Sequence, residues 1–127
     1  MDMARDAMRL AYCPYSKYAV GAALLTKDGR VFTGCNVENA SFGLTICAER
    51  AALASAVAEG LRKFKAIAVV AVERKMILPC GACLQVLAEF GSPDMLVLTH
   101  SPRSSRKIRV LKLGDLLPKA FRFSSHD

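Results

Sequence analysis

Three cysteines and one glutamate, in two short segments, have the types and spacing for metal chemistry: Cys47-Ala48-Glu49-Arg50 and, further along, Pro79-Cys80-Gly81-Ala82-Cys83. Thiolate sulfur binds zinc strongly, and a catalytic zinc site uses three protein ligands while a fourth position stays open for water. Cys47, Cys80 and Cys83 can supply the three ligands. Water in such a site has its pKa lowered toward neutrality, which makes a nucleophile where free water is inert. Glu49, two residues after the first cysteine, is the candidate proton carrier. The i, i+3 spacing of Cys80 and Cys83 sets both sulfurs on one side of a helical turn, and Pro79 suits the position just ahead of it.

The same cysteines admit other readings. A Cys-x-x-Cys pair can be redox-active, but that pair follows a strand in a thioredoxin-like pattern, and nothing near Leu78 has it. A structural zinc ribbon needs four closed ligands, and the remaining candidates, His100, His126, Cys13 and Cys35, have no paired spacing. Cys13 and Cys35 read as buried, inert thiols. Five cysteines, an odd number, point to reduced thiols or metal ligands more than to a disulfide framework.

These segments need a scaffold that brings them together. Residues 3–12 have apolar side chains at helical spacing and predict an opening helix. Strands over 20–26 and 30–33 flank Lys27-Asp28-Gly29, whose Asp-Gly pair is a hairpin signal. Thr45 is the expected N-cap of a helix that stops at Gly60 and holds Cys47 and Glu49 in its first turn. The apolar run 66–72 predicts a strand buried on both faces. A second metal-bearing helix starts at Pro79 and ends near Gly91; strands follow at 95–99 and 108–111, and a helical turn at 115–117. Mixed strands with helices on both faces predict a three-layer α/β/α domain around a mixed five-stranded sheet. Both metal segments then sit at helix N-termini, whose dipoles favour thiolate over thiol, and Arg50 adds a full positive charge.

At 127 residues the chain reads as one domain, 1–127. No apolar run approaches the roughly 18 residues that span a bilayer, and the first residues lack a signal-peptide core, so the expected location is cytoplasmic. A net charge of +7 raises the question of nucleic acid. Arg103, Arg106, Lys107, Arg109 and Lys112 cluster, with Arg62, Lys63 and Lys65 elsewhere. Lys107-Ile108-Arg109-Val110 alternates charged and apolar residues, as in a strand whose edge is guarded by charge. No aromatics interleave this run to stack bases, so a polynucleotide partner is the weaker reading.

Beyond the metal segments lie Tyr12-Cys13-Pro14-Tyr15-Ser16-Lys17, Val20-Gly21-Ala22-Ala23 and Gly34-Cys35-Asn36-Val37-Glu38-Asn39-Ala40-Ser41. Gln85-Val86-Leu87-Ala88-Glu89-Phe90 and Asp115-Leu116-Leu117-Pro118 complete the set. Together these motifs resemble, over nearly the whole chain, the small homotetrameric zinc-dependent cytidine deaminases. The resemblance implies Zn2+ as cofactor and hydrolytic deamination of cytidine and 2′-deoxycytidine to uridine and 2′-deoxyuridine. Glu49 would move protons to N3 and then to the departing amine, and Arg50 would hydrogen-bond the ligand sulfurs. Asn36 and Glu38 occupy the places of ribose-binding residues, and Ala48 belongs to the substrate contacts. Tyr18 stands where Phe usually stacks on the base, and Phe42 where Tyr is common. Phe121 matches an aromatic that reaches a neighbouring subunit's site, so a homotetramer with shared active sites is implied. A blasticidin S-like nucleoside or a cytosine in a polynucleotide is the alternative substrate.

Two departures flank the second metal segment. Leu84 stands where the family usually has Arg, and residues 72–78 are bulkier and more apolar near their end. Leu84 could simply join Leu87 and Ala88 on a buried helix face. Alternatively, the pocket near C4 of the base is more apolar or roomier, and N4-substituted cytidines or other 4-substituted pyrimidine nucleosides are hydrolysed as well.

Overall fold

Alternation decides the sheet. In the computed structural model, which describes residues 1–72, 77–100 and 108–123, five strands are present: β1 (Val20–Thr26), β2 (Val31–Cys35), β3 (Phe64–Ala71), β4 (Leu96–His100) and β5 (Arg109–Lys112). They lie in the order β2-β1-β3-β4-β5. The β3–β4 pair is parallel and the other three are antiparallel, so the sheet is mixed. The Asp-Gly turn closes the β1–β2 hairpin, with Gly29 at φ 93°, a backbone state that side chains disfavour. A parallel neighbour demands a crossover, and α3 (Gly81–Phe90) provides it between β3 and β4.

Successive residues of a strand face opposite sides of its sheet. Ala22, Leu24, Ile67, Val69 and Val97 form one core with Ala48, Ala52, Leu53 and Ala56 of α2 (Ala48–Ala58) and Leu84, Leu87 and Ala88 of α3. Ala23, Ala68 and Val70 face the other way and pack on Ala4 of α1 (Asp2–Met8). Helices therefore cover both faces, the three-layer arrangement expected. Each fully buried Leu, Ile or Val contributes about 1.5–3 kcal/mol by leaving water. No described helix is long and apolar enough to cross a membrane.

Element boundaries differ from expectation in ways with local causes. α1 stops at Met8 because the chain turns to pair Tyr12 with Val37: Tyr12 N–H donates to Asn36 O (3.0 Å), and Glu38 N–H to Tyr12 O (2.8 Å). β2 starts at Val31 and runs on to Cys35, where it still pairs with Gly21. β3 starts at Phe64, opposite Thr26, and ends at Ala71. β4 ends at His100 rather than Thr99. The last short helix, α4, covers Leu113–Leu116, and a 3-10 turn at Phe42–Leu44 was not anticipated. Glu73, Arg74, Lys75, Met76, Arg103, Arg106, Lys107 and His126 lie outside the described residues.

Candidate active site

Each metal segment is the opening of a helix. Cys47 is the N-cap residue of α2 and Cys80 that of α3, both with extended backbone (φ −74°, ψ 152° and φ −69°, ψ 168°). This corrects the expectation that Thr45 caps α2 with Cys47 in its first turn. The Thr45 hydroxyl instead accepts from Asn39 N–H (3.3 Å), and its carbonyl accepts from Arg50 (3.5 Å). Glu49 is then the second helical residue, and Cys83 the third residue of α3.

The two openings meet. The sulfurs of Cys47, Cys80 and Cys83 all lie within 4.8 Å of one another. Cys83 is buried, Cys47 half-buried and Cys80 exposed. Arg50 Nη2 donates to Cys47 Sγ (3.4 Å), an interaction that raises the guanidinium further. Its buried Nε has no hydrogen-bond partner among the described residues.

Glu49 is only 5% exposed, and burial raises its carboxyl above the usual range. Burial pushes the Cys83 thiol up as well, reinforced by the negative charges of Glu49 and Cys47 beside it. For Cys80 burial also opposes the thiolate, but hydrogen bonds from the neighbouring Cys83 and Ala82 backbone and from the other sulfurs outweigh it, and the thiol is lowered. Three sulfurs and a carboxyl crowded together make a centre that a bound cation would stabilise. Three soft donors leaving one side free suit zinc.

A cavity of about 180 Å³ opens onto this centre, lined by Cys47, Ala48, Glu49 and Cys80 on one side and by Val20, Asn36, Thr45, Ile77 and Leu78 around the rest. Of the expected substrate contacts, Ala48 and Asn36 line it. Asn36 is a buried clamp: its Oδ1 accepts from Val20 N–H (2.9 Å) and its Nδ2 donates to Tyr18 O (2.7 Å). Glu38 reaches the same 15–20 stretch, accepting from the N–H groups of Tyr15 (3.0 Å) and Ser16 (3.1 Å) and from the Ser16 hydroxyl. The hydroxyl contact is the main reason that its carboxyl is held low. Glu38 lines a separate cavity of about 390 Å³ with Tyr15, Ser16, Phe42 and Thr45. Thr45 borders both cavities.

Tyr18 is half-buried against the core rather than on the cavity wall. Phe42 is 75% exposed and meets Tyr15 edge-on at 6.0 Å. Phe121 is 68% exposed and edge-on to Phe123, while Gln85 grips its backbone through Nε2 to O (2.9 Å) and N–H to Oε1 (3.3 Å). Cys13 and Cys35 are only half-buried, a correction to their reading as buried thiols, and neither joins the sulfur cluster. Val20, Ile77 and Leu78 were missed as cavity walls, since nothing in their spacing separates a wall residue from a core residue.

Residues 1–99 match the family model for the cytidine and deoxycytidylate deaminase zinc-binding region. The chain belongs to this deaminase family. It is 49% identical over 118 residues to a cytidine deaminase of Sporosarcina psychrophila, covering 92% of this chain and 85% of the relative. A crystal structure of cytidine deaminase from Burkholderia pseudomallei superposes with a TM-score of 0.89 at 53% identity, covering 94% of both chains. Cytidine deaminase from Mycobacterium tuberculosis superposes with a TM-score of 0.83 at 46% identity, covering 96% of this chain and 94% of the other. The cofactor of this deaminase is therefore zinc, and the cysteine cluster is where such an ion fits. Leu84, next to the last cysteine of the cluster, is 8% exposed within the α2–α3 core and is not among the cavity's lining residues. The Leu84 side chain itself does not form the wall of this cavity.

Proposed function

We propose that the protein is a hydrolase that deaminates cytidine and 2′-deoxycytidine to uridine and 2′-deoxyuridine, releasing ammonia. The observation that carries this reading is a buried carboxyl, Glu49, on the wall of the cavity where three cysteine sulfurs converge. Zinc held by Cys47, Cys80 and Cys83 would supply activation of water. Glu49 takes the proton that the attacking water gives up and delivers it to N3 of the base. Its carboxylate then takes the second proton, from the hydroxyl now bonded to C4, and passes it to the exocyclic nitrogen, which leaves as ammonia as the C4–N bond breaks. One group can serve both steps because burial brings its pKa toward the working pH.

Arg50 orients the Cys47 sulfur and balances part of the negative charge. Val20, Ile77 and Leu78 offer apolar surface to a planar base. Among the described residues Asn36 keeps one amide hydrogen and Glu38 one lone-pair site beyond their bonds to the 15–20 stretch, a donor and an acceptor for the hydroxyls of a ribose. Tyr18 is assigned the base-stacking role, and Phe42 and Phe121 contacts across a homotetramer. Reduced thiol ligands go with a cytoplasmic location. The basic residues Lys27, Arg62 and Lys63 border a different cavity, which shares no lining residue with the cysteine site; this favours a free nucleoside over a polynucleotide.

The test is ultraviolet assay of cytidine loss with ammonia release and zinc content measured together. The wild type is expected to turn over cytidine. Glu49→Gln is expected to retain zinc and lose about 10³-fold or more in kcat. Near-normal turnover in that variant would refute the assignment.

A further inference from the structure

β4 is apolar along its length until Thr99, which is fully buried. A buried hydroxyl without a partner is costly, so a polar side chain here has to be bonded to something. Thr99 donates to the carbonyl of Ile77. Ile77 and Leu78 belong to the irregular strap that runs into Cys80, and both form the cavity wall facing Glu49. Among the described residues no backbone–backbone hydrogen bond reaches Ile77, Leu78 or Pro79. Among the described residues the strap has no ladder or helix of its own to hold it, and the Thr99 hydroxyl bonds it from the sheet beneath. Thr99 itself is not part of the cavity wall.

We infer that Thr99 is a positioning residue for the deaminase reaction, fixing through Ile77 the Ile77–Leu78 wall against which the base is held. This rests on the proposed function and adds to it a residue remote from the metal segments in sequence. β4 is a rigid base for the purpose: Thr99 sits between Val69 of β3 and Arg109 of β5 in the sheet. A wall held to within a fraction of an ångström is what orients a substrate for attack.

Three variants separate the hydroxyl from the methyl. Thr99→Val keeps the shape and removes the hydroxyl, Thr99→Ser keeps the hydroxyl, and Thr99→Ala removes both. For cytidine, kcat/KM is expected to fall about tenfold in the Val and Ala variants, mainly through KM, and to stay within about threefold of wild type in the Ser variant. Zinc per chain should stay at the wild-type value. Hydrogen exchange of the peptide containing Ile77 and Leu78 should quicken in the Val and Ala variants but not in the Ser variant.

If the role is packing alone the order reverses, with Ser as impaired as Ala and Val close to wild type; that result overturns the inference. Loss of zinc together with activity in Thr99→Val overturns it too, because the effect then runs through Cys80 and not through the wall. Should Thr99→Val fail to fold, the Ser and Ala pair decides the question in the same way. A wild type inert on cytidine would count against the proposed function instead, and the exchange measurement would still decide whether Thr99 holds the strap.

Discussion

Leu84 directly follows a metal ligand, yet its side chain is buried in the cluster with Leu53, Leu87 and Ala88. Its work is packing, and Arg50 is the guanidinium that hydrogen-bonds a cluster sulfur among the described residues. Leu84→Ala is expected to cost about 2–5 kcal/mol of stability, as truncated buried leucines do. The ratio of kcat/KM for cytidine over N4-methylcytidine should stay within about twofold, since the pocket is formed elsewhere. Denaturant melts and a two-substrate assay check this; a tenfold change in the ratio with stability intact would put Leu84 at the substrate. At this scale the meeting of the three sulfurs, with the Glu49 carboxyl beside them, was legible because metal chemistry restricts residue type and spacing together. The hydrogen bonds that occupy Asn36 and Glu38 were not legible, since their partners, Tyr15 to Val20, are neighbours only after folding.

At the level of elements, the position of α2 against the hairpin decides where Cys47 and Glu49 sit. Gly34 of β2 makes that approach possible: a Cβ there would lie 2.5 Å from Ala48 O and from Ala52 N, both backbone atoms of α2. Gly34→Ala must therefore push the first turns of α2 outward, taking Cys47 and Glu49 with them. A loss of about 1–3 kcal/mol in stability is expected. Activity should fall at least about tenfold and zinc should leave more readily to a chelator, since a small displacement of reacting groups is expensive. Gly60→Ala is the control. It strains a residue at φ 85° with no atom within 4 Å of the added Cβ, so stability falls while turnover and zinc affinity hold. The hairpin could be read from the Asp-Gly pair, and the two main helices from their boundary signals at Gly60, Pro79 and Gly91. The helix starts could not be read to the residue. Cys47 and Cys80 serve as N-caps without any side-chain cap hydrogen bond, a role that cap preferences do not assign to cysteine.

For the whole molecule, the exposed aromatics are the unfinished part of the surface. Phe42 stands out beside the cavity bordered by Glu38. Phe121 and Phe123 stand out together, although Gln85 and Arg122 tie their segment to α3, Arg122 by donating to Ala88 O (2.7 Å). Large apolar side chains held in place yet left in water mark a contact surface. If Phe121 completes a neighbour's site, Phe121→Ala should lower kcat/KM while its own sulfur cluster and Glu49 are intact. The decisive measurement is complementation between this variant and Glu49→Gln. Each is defective alone, but co-expressed chains in a mixed oligomer would form some sites with Glu49 from one chain and Phe121 from another. Random assembly would restore roughly a quarter of the wild-type sites. Sedimentation should accordingly show a fourfold multiple of the 13.7 kDa chain, and dilution to the monomer should abolish turnover. No recovery in the mixed oligomer would mean that each chain closes its own site, with the exposed phenylalanines serving assembly alone.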